Sequence, residues 1–363
     1  MATYYVRTDG NNGNAGTSDS AGGAWLTLAY AGANVAAGDT IMVRASAGNA
    51  SSYPTSSLDY TVSAYFSPTN GSATAGRTKW IGYNGRPTIG FNGGMILCTH
   101  QHWENLYCVA TGAGGVGSYG IFGGDLHSIY NVIINLNDIA TMRGVSGDSI
   151  SIFNSEIWGG TTTPTVSSNS DLIYASSTYQ SIIHGCTLRN SRDNGIASNS
   201  SSGLVVCNNK IYGCAGNGIY LNGASSNPGL ILNNTINNNQ GHGIRLEAAN
   251  LAQTLCIRNN NITNNAQASK YGISVATADS DKRKNNWGYN NLYGNTSAYE
   301  NVTASSTDLA LDPSYTDAAN GDFRYSNASL KGAAFPAYLD IGGVQHQATG
   351  GGGGSANLLA GKL

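Results

Sequence analysis

Charge is the first thing that this sequence has little of. Only 10% of its 363 residues are Asp, Glu, Lys or Arg, against about 25% in an average soluble protein. The formal net charge is −2, so no basic surface exists to attract nucleic acid or an anionic membrane. Long apolar runs are missing as well, since none approaches the roughly 18 residues of a membrane-spanning helix. We therefore expect neither nucleic acid nor a membrane among the partners of this chain.

Paired cysteine motifs and a leader pattern are also missing. The six cysteines include no CxxC pair, which argues against a zinc site and favours reduced cysteines that act as small apolar residues. A strand is predicted at Tyr4–Val6 with no basic and apolar leader segments before it. We expect either that a leader has been removed or that the protein leaves its cell by another route, such as inside a virus particle. The expected location is a virion or the extracellular space.

Amides, hydroxyls and glycine supply the polarity instead. The chain has 49 Gly and 42 Asn, and its 21 Tyr far outnumber its 6 Phe. Because 40% of the residues are hydrophobic, the composition favours a folded chain over a disordered one. These features predict a β protein whose turns are rich in asparagine and glycine.

Two short phrases recur along the chain in constant order. The first is a small polar residue, any residue and an aliphatic residue, and its aliphatic positions are 31, 23, 25, 26 and 30 residues apart: Ile157, Leu188, Ile211, Ile236, Ile262 and Leu292. The second is glycine followed by an aliphatic residue, at Gly120, Gly144, Gly195, Gly218, Gly243 and Gly272. One interval of the second phrase is about twice the others, and it contains a skipped repeat near Leu172-Ile173.

A unit of about 23 residues with short strands and Asn/Gly turns is typical of one coil of a parallel β-helix. Successive coils would stack about 4.8 Å apart, with the aliphatic positions in columns inside the tube. Asn209, Asn234 and Asn260 are expected to stack as a ladder at one bend, where asparagine also tolerates left-handed backbone. The sequence therefore predicts an all-β, single-stranded parallel β-helix.

The two ends of the chain depart from the repeat, and we divide the sequence accordingly. Residues 1–50 are predicted as an N-terminal cap with a strand and a short amphipathic helix at 24–38, and residues 51–307 as the parallel β-helix. Residues 308–345 are predicted to wrap the far end as an irregular C-terminal cap. Residues 346–363 form a glycine-rich linker with an apolar tail. Such caps protect the exposed strand edges of a solenoid.

The ends carry a further pattern. Tyr4-Tyr5-Val6, Ala24-Trp25-Leu26 and Gly38-Asp39-Thr40 near the start, with Gly321-Asp322-Phe323 and Ile341-Gly342-Gly343 near the end, resemble the opening and closing segments of the pectate-lyase-like superfamily. This resemblance implies a right-handed β-helix over nearly the whole chain. The superfamily includes polysaccharide lyases, glycoside hydrolases and bacteriophage tailspikes, so the resemblance implies architecture and not one reaction.

Four aspartates recur about once per coil, at Asp125, Asp148, Asp171 and Asp193. The first two follow the glycine-aliphatic strand and the last two precede it, which predicts two pairs on opposite sides of a strand. Asp125 and Asp148 could bind Ca²⁺, and Asp171 and Asp193 could share a proton as an acid–base couple. Turn aspartates that bind local backbone amides are the alternative interpretation. No cofactor is required by this sequence, and Ca²⁺ is the one that could bind.

The first phrase also places charged and aromatic side chains on one outward face. Glu156, Arg189 and Lys210 are the candidate catalytic residues there, beside the rings of Trp158 and Tyr212. Tyr174 and Tyr220 of the second phrase extend the aromatic set. Aromatic faces pack against the apolar side of a sugar ring, whereas the alternative is that tyrosine simply suits strands. Two weaker motifs are His100/His102, interpreted as a surface pair, and Asp125-Leu126-His127, for which the sequence offers no nucleophilic serine motif.

Three functions remain open at this point. The first is a virion-associated spike, fibre or surface-decoration protein that binds polysaccharide, self-associates as a homotrimer and contacts other virion proteins. The second is a polysaccharide lyase or glycoside hydrolase on the same scaffold, and the third is a structural particle component without a ligand. An enzyme should show ionisable groups with shifted pKa values in a groove, and a binder should show rings and amides.

Overall fold

The computed structural model describes residues 1–46, 58–62, 66–92, 96–112, 120–139, 142–160, 167, 169–176, 180–199, 203–223, 229–247, 255–265, 268–276, 286–334 and 340–344. The predicted tail, residues 346–363, lies outside these ranges. Within these ranges the strands form three long parallel sheets, and from Thr78–Tyr83 onward each coil adds one strand to each sheet in turn. The all-β parallel β-helix predicted from the repeat is therefore confirmed.

The first sheet has eleven strands, in spatial order Thr3–Val6, Thr40–Arg44, Thr78–Tyr83, Gln101–Glu104, Ser128–Tyr130, Ser151–Phe153, Ile182–His184, Val205–Cys207, Gly229–Leu232, Leu255–Arg258 and Trp287–Gly288. The second sheet has ten, Tyr60–Val62, Thr88–Asn92, Tyr107–Gly112, Ile133–Asn135, Glu156–Trp158, Thr187–Arg189, Lys210–Tyr212, Thr235–Asn237, Asn261–Thr263 and Asn291–Tyr293. The third has nine, Ile96–Leu97, Gly120–Gly123, Arg143–Gly147, Ile173–Ala175, Ile196–Ser198, Ile219–Leu221, Ile244–Leu246, Tyr271–Val275 and Ser297–Glu300.

The strand register places the predicted aliphatic positions in columns inside the tube. In the second sheet Leu188, Ile211 and Ile236 are in-register neighbours and are completely buried. In the third sheet Ile173 pairs with Ile196, so the skipped repeat is a regular coil whose glycine is replaced. Burying one such side chain contributes about 1.5–3 kcal/mol, and the columns together form one continuous core.

The asparagine ladder is confirmed and is longer than predicted. The Nδ2 group of Asn209 donates to Oδ1 of Asn234 at 3.0 Å, Asn234 donates to Asn260 at 3.0 Å, and Asn260 donates to Asn290 at 3.1 Å. The ladder ends on the Asp308 carboxylate. Each ladder asparagine from Asn209 to Asn290 is fully buried, so these bonds replace water at the bend between the first and second sheets.

Glycine at the third-sheet entry is required by close approach. A Cβ on Gly218 would lie 2.5 Å from Cγ2 of Ile236 and 2.7 Å from the carbonyl oxygen of Gly243 in the next coil. A Cβ on Gly243 would meet Ile262 and Gly272 in the same way. The second sequence phrase therefore marks where one coil comes closest to the next.

The N-terminal region belongs to the solenoid more than was predicted. Strands Thr3–Val6 and Thr40–Arg44 already pair in parallel within the first sheet, so the β-helix starts before residue 51. The helix is Leu28–Asn34, shorter than the predicted 24–38. It starts after Thr27, whose side chain accepts a hydrogen bond from the first turn, while Trp25 is held in extended conformation by bonds to the first strand. None of the described helices has the length and apolar character needed to cross a membrane.

The C-terminal segment, residues 308–334 and 340–344, lies along the side of the second sheet and not only over the far end. It contains the hairpin Tyr315–Asp317 and Asp322–Tyr325 and the 3₁₀ helices Ala318–Asn320 and Ala328–Leu330. The Tyr315 hydroxyl lies 3.2 Å from the Thr263 hydroxyl. The backbone N–H of Gly343 donates to Oγ1 of Thr235 at 3.0 Å. The segment thus covers the outward face of the second sheet over the coils that contain Thr235, Asn261 and Asn291, which are buried.

Candidate functional site

A second hydrogen-bonded ladder runs along the bend between the second and third sheets. The Nδ2 group of Asn194 donates to Oδ1 of Asp171 at 2.9 Å, and Nδ2 of Asn217 donates to Oδ1 of Asn194 at 2.8 Å. Oδ1 of Asn217 accepts the backbone N–H of His242 at 2.8 Å, and Nδ1 of His242 accepts the backbone N–H of Tyr271 at 3.1 Å. This bend therefore presents an acid, two amides, an imidazole and a phenol at fixed spacing beside the third sheet.

The predicted pair Asp171 and Asp193 lies at the start of this ladder. Nδ2 of Asn194 is 2.9 Å from one oxygen of each carboxylate. Asp171 is 3% exposed and its Oδ2 lies 3.3 Å from Nε of Arg143. Burial raises the pKa of Asp171, and burial together with the nearby Asp171 charge raises the pKa of Asp193 to about 6. The partly exposed Asp193 can therefore hold a proton at weakly acidic pH. A proton shared between the two carboxylates stays a prediction.

The outward column of the third sheet carries aromatic and charged groups next to the ladder. In register along it are Ser146, Tyr174, Ala197, Tyr220, Arg245, Ser274 and Glu300. The guanidinium carbon of Arg143 lies 3.7 Å from the centre of the Tyr174 ring, a cation–π contact that fixes this ring and occupies one of its faces. The two predicted tyrosines thus lie on one face with two arginines.

A pocket of about 310 Å³ opens where this column meets the ladder. It is lined by Asn217, Tyr220, His242, Arg245, Glu247, Ser269, Lys270 and Glu300. Nε of Arg245 donates to Glu247 at 2.9 Å, and an Nη group of Arg245 donates to Glu300 at 2.9 Å. Two carboxylates are therefore held at one guanidinium, with the Lys270 ammonium on the same wall.

The imidazole of His242 is neutral at physiological pH. Burial and the positive charges of Arg245 and Lys270 lower the pKa of His242 to about 4. Its Nδ1 already accepts a backbone hydrogen bond from Tyr271, so Nε2 carries the proton. The pocket can consequently bind hydroxyl groups by donating and accepting hydrogen bonds, and it holds the carboxylate, amine and phenol groups that proton transfer requires.

The predicted catalytic group of the second sheet is brought together in part. Oε1 of Glu156 lies 2.9 Å from Arg189, and the Arg189 guanidinium carbon lies 3.9 Å from the Trp158 ring centre. Lys210 follows Thr187 in the same register column as Glu156. The arginine thus occupies one face of the Trp158 ring that sequence analysis assigned to a sugar.

Tyr212 is covered on one side by the C-terminal segment. Its ring centre lies 5.1 Å from that of Phe323, with the planes at 70°, and burial raises the pKa of Tyr212. Tyr212 and Trp158 therefore lie on a different sheet from Tyr174 and Tyr220, so the four predicted rings form two separate groups. Their role in carbohydrate binding stays a prediction.

Asp125 and Asp148 lie on adjacent coils, as predicted, and bind turn groups. Oδ1 of Asp125 accepts the backbone N–H of Asp148 at 3.0 Å, and Oδ1 of Asp148 accepts the Ser176 hydroxyl at 2.6 Å. Within the described ranges no group of three or more His, Cys, Asp or Glu side chains is arranged to hold a metal ion. Calcium binding by this pair stays a prediction, and all six cysteines are free thiols.

Sequence reasoning missed most of the pocket. His242, Arg245, Glu247, Lys270 and Glu300 of the pocket were not singled out, nor was Arg143 beside Tyr174, although the signal for His242 and Arg245 was in the repeat. The residue before the glycine of the second phrase is Asn194, Asn217, His242 and Tyr271 in turn, which is the ladder. The residue after the aliphatic position is Tyr220 and then Arg245, so the outward column could have been followed one coil further.

Comparison with known proteins agrees with the parallel β-helix fold. The sequence profile described as "Right handed beta helix region" matches residues 117–296. None of the curated protein sequences matches the chain significantly. The solved structure of pectate lyase Pel9A is similar over 96% of this chain and 97% of its own, with a TM-score of 0.56 and 13% identity. A rhamnogalacturonan lyase is similar over 87% of this chain and 91% of its own, with a TM-score of 0.53 and 14% identity.

Likeness at these identities concerns the fold. The three sheets, the coil length and both similar structures agree with the superfamily resemblance seen at the two ends of the sequence. This chain is a right-handed parallel β-helix protein with the pectate-lyase-like fold.

Proposed function

We propose that this protein binds a polysaccharide along the outward face of its third sheet. The observation that carries the proposal is that Tyr174, Tyr220 and Arg245 share one register column, with Ala197 between the two tyrosines and the pocket at its side. An extended sugar chain can follow such a column across several coils, because equivalent side chains recur about every 4.8 Å.

The chemistry of the column supports a carbohydrate ligand. Tyrosine rings pack against the apolar side of pyranose rings while their hydroxyls stay hydrated. Two positive groups, Arg245 and Lys270, balance two negative groups, Glu247 and Glu300, in the pocket, so hydrogen bonding and not net charge would select the ligand. The names of the two similar structures, a pectate lyase and a rhamnogalacturonan lyase, support polysaccharide as the ligand class.

The test compares matched arginine variants on a panel of neutral and acidic polysaccharides, by affinity gel electrophoresis. Arg245→Gln and Tyr220→Ala are expected to weaken binding at least about 10-fold, equivalent to about 1.4 kcal/mol. Arg189→Gln removes the corresponding arginine from the second sheet and is expected to change binding less than about twofold. Equal losses in all three variants, or no binding by the unaltered protein, would contradict the proposal, and the latter would favour the structural role.

A polysaccharide lyase or hydrolase is the second candidate function, favoured by Asp193. A carboxyl group with a pKa of about 6 beside a second carboxylate can act as a general acid or base near neutral pH. Incubation with the same panel, with and without Ca²⁺, would be followed by absorbance at about 235 nm for unsaturated ends and by reducing ends. Product that disappears in Asp193→Asn supports catalysis, and product unchanged in that variant removes Asp193 from the mechanism.

A finer form of the proposal concerns assembly as a homotrimer. Ile182, Val205 and Leu230 form a partly exposed apolar column on the outward face of the first sheet, and a second copy of the chain would cover it. Light scattering after size-exclusion chromatography is expected to give three copies for the protein and one copy for Val205→Lys. A monomer at all concentrations would remove self-association from the proposal.

The setting that we propose is a virus particle, as a spike, fibre or surface-decoration protein in contact with other virion proteins. The low charge and the excess of tyrosine over phenylalanine support this setting. Antibody labelling of purified particles in the electron microscope is the measurement. If the purified particles are not labelled and do not contain the protein, the virion setting is wrong. Polysaccharide binding would then take place outside a virion.

A further inference from the structure

A separate group of three side chains lies on the outward face of the first sheet. Nδ1 of His102 is 3.2 Å from Oγ of Ser128, and Nε2 of His102 is 3.1 Å from Oε2 of Glu104. Sequence analysis treated His102 as half of a surface pair, and none of the three residues belongs to the third-sheet site. Serine, imidazole and carboxylate are therefore joined in one hydrogen-bonded chain.

Two rules of the fold fix this arrangement. Ser128 and His102 are in-register partners on adjacent strands, so their side chains are neighbours on one face. His102 and Glu104 are two residues apart on the strand Gln101–Glu104, so they point to the same face. The side chains of His102 and Glu104 are 22% and 37% exposed, which leaves the group within reach of a ligand in solvent.

One tautomer of the imidazole satisfies both contacts. With the proton on Nε2, His102 donates to Glu104, and its free Nδ1 accepts the hydroxyl proton of Ser128. In this arrangement the carboxylate orients the ring and stabilises the imidazolium that forms when the ring takes the serine proton. Such a group is recognised by geometry and roles and not by position in the sequence.

We propose that Ser128, His102 and Glu104 form a second active site that hydrolyses acyl esters. Ser128 is the nucleophile, His102 is the general base and acid, and Glu104 is a positioning residue. The natural substrate class is O-acyl groups of a polysaccharide, and that choice of substrate rests on the proposed function. Hydrolysis of a small acyl ester does not depend on it.

The reaction balances with water as the only co-reactant. Oγ of Ser128 bonds to the ester carbonyl carbon as its proton moves to Nδ1 of His102. The carbon–oxygen bond to the alcohol then breaks, and the alcohol leaves with the proton from the imidazolium. Water next gives a proton to His102 as its oxygen bonds to the acyl carbon. The bond from that carbon to Oγ of Ser128 then breaks, Oγ takes the proton back from His102, and the carboxylic acid leaves.

Two neighbours on the same face suit an ester substrate. The exposed Lys79 is the in-register partner of His102 on the preceding coil, and its ammonium can stabilise the oxyanion of the tetrahedral intermediate. Tyr130 is the in-register partner of Glu104 and is 42% exposed, so it offers a ring to a sugar that carries the acyl group.

The test uses p-nitrophenyl acetate hydrolysis and labelling by a fluorophosphonate probe on the full chain. The unaltered protein is expected to release p-nitrophenol with turnover and to become labelled at Ser128. Ser128→Ala and His102→Gln are expected to lower kcat roughly 100-fold or more. Ser151→Ala is the matched control, because Ser151 follows Ser128 in the same column but faces Ile182 on its other side, and it should keep full activity.

Further readouts separate this site from the polysaccharide-binding face. Glu104→Gln is expected to lower kcat with little change in KM, and Glu104→Asp to restore part of the loss. Ser128→Ala should bind polysaccharide as well as the unaltered protein does. Absence of labelling at Ser128, or equal hydrolysis by Ser128→Ala and Ser151→Ala, would overturn the proposal and leave the third-sheet function untouched.

Discussion

The second and third sheets present the same kind of outward column to their surroundings, but only one of them is open. Each column contains an arginine that holds a carboxylate, Arg189 with Glu156 and Arg245 with Glu247 and Glu300. Further along the second sheet, the C-terminal segment buries Thr235 and Asn261. On the third sheet the equivalent coils border the pocket beside Tyr220.

This difference arises outside the repeat. Both columns follow from the same in-register stacking, so the repeat alone gives no reason for one side to be closed. Phe323 packs on Tyr212 and Tyr315, and the backbone of Gly342 donates to Asn259 at 2.8 Å. The irregular C-terminal segment, residues 308–334 and 340–344, thus decides which side of a regular solenoid can meet a ligand.

Removal of the Phe323 ring should produce the largest loss of stability, because it frees the C-terminal segment that covers the second sheet. Phe323 is 1% exposed between two tyrosine rings, and Phe→Ala at buried sites costs about 3–5 kcal/mol. We expect Phe323→Ala to release the C-terminal segment while the coils stay folded. Limited proteolysis with mass spectrometry should show early cleavage within 308–334. The same cleavage rate in Phe323→Ala and in a control with the exposed Tyr130→Ala would contradict this.

The two ladders offer a second comparison. Loss of one asparagine side chain from the buried ladder is expected to lower the free energy of unfolding by about 3 kcal/mol. Asn234 is fully buried, and its side chain bonds to Asn209, Asn260 and Val206. Asn234→Ala removes these three side-chain hydrogen bonds at a fully buried position, where the groups that lose a bond are shielded from solvent. Asn217→Ala on the open side should cost about 1 kcal/mol, because water from the pocket can replace the lost bonds.

Denaturant unfolding of both asparagine variants is the measurement. A midpoint that falls clearly more for Asn234→Ala than for Asn217→Ala is the expected result. Equal losses would show that the pocket side of the molecule is as closed to water as the side under the C-terminal segment.

The smallest expected effect is the pH dependence that Asp193 gives to the free energy of unfolding. It amounts to about 1 kcal/mol after allowance for solvent screening. Its pKa rises from 3.8 to about 6 on folding, so the folded state keeps a proton that the unfolded chain releases. The stability from this group is complete below pH 3.8 and is lost as the pH rises through 6. Asp193→Asn should therefore be more stable than the unaltered protein at pH 7 and little different at pH 3.5.

Asp322 supplies the control of opposite sign for this titration. The ion pair with Arg324 lowers the pKa of Asp322 to about 2, so its contribution is present above pH 3.8 and is lost as the pH falls through 2. Asp322→Asn should consequently not gain stability at pH 7. A gain at pH 7 in both variants would point to net charge and not to the Asp171–Asp193 pair.

Much of the fold could be predicted from the sequence because each coil stacks on the next through equivalent residues, which recur at the coil period. Ile211 and Ile236 recur at the coil period and line one column, and Asn209 precedes the second-sheet strand in the same way as Asn234 does. Tyr174 and Tyr220 could be assigned to one face for the same reason. Period and alternation are sufficient wherever a residue contacts its equivalent in the next coil.

The site was only partly predictable because its key contacts do not follow the period. Arg143 meets Asp171 from a neighbouring coil at a non-equivalent position. Arg245 reaches Glu300 across 55 residues, and Phe323 reaches Tyr212 from outside the repeat. The Ser128–His102 contact was missed because it depends on strand register, which the irregular spacing before residue 150 does not reveal.

The constant bend between the first and second sheets has a consequence for how this molecule can change its length. Ile183, Val206, Ile231 and Ile257 are each followed five residues later by the second-sheet column, at Leu188, Ile211, Ile236 and Ile262. The connection from the third sheet back to the first varies instead, from seven positions from Val145 to Ile152 to fourteen from Ile273 to Trp287. Recombination within that connection would add or remove one whole coil and keep both ladders in step. Duplication of a single coil would therefore lengthen the tyrosine-bearing face by one strand spacing, so the reach of the protein along an extended partner can evolve in discrete steps.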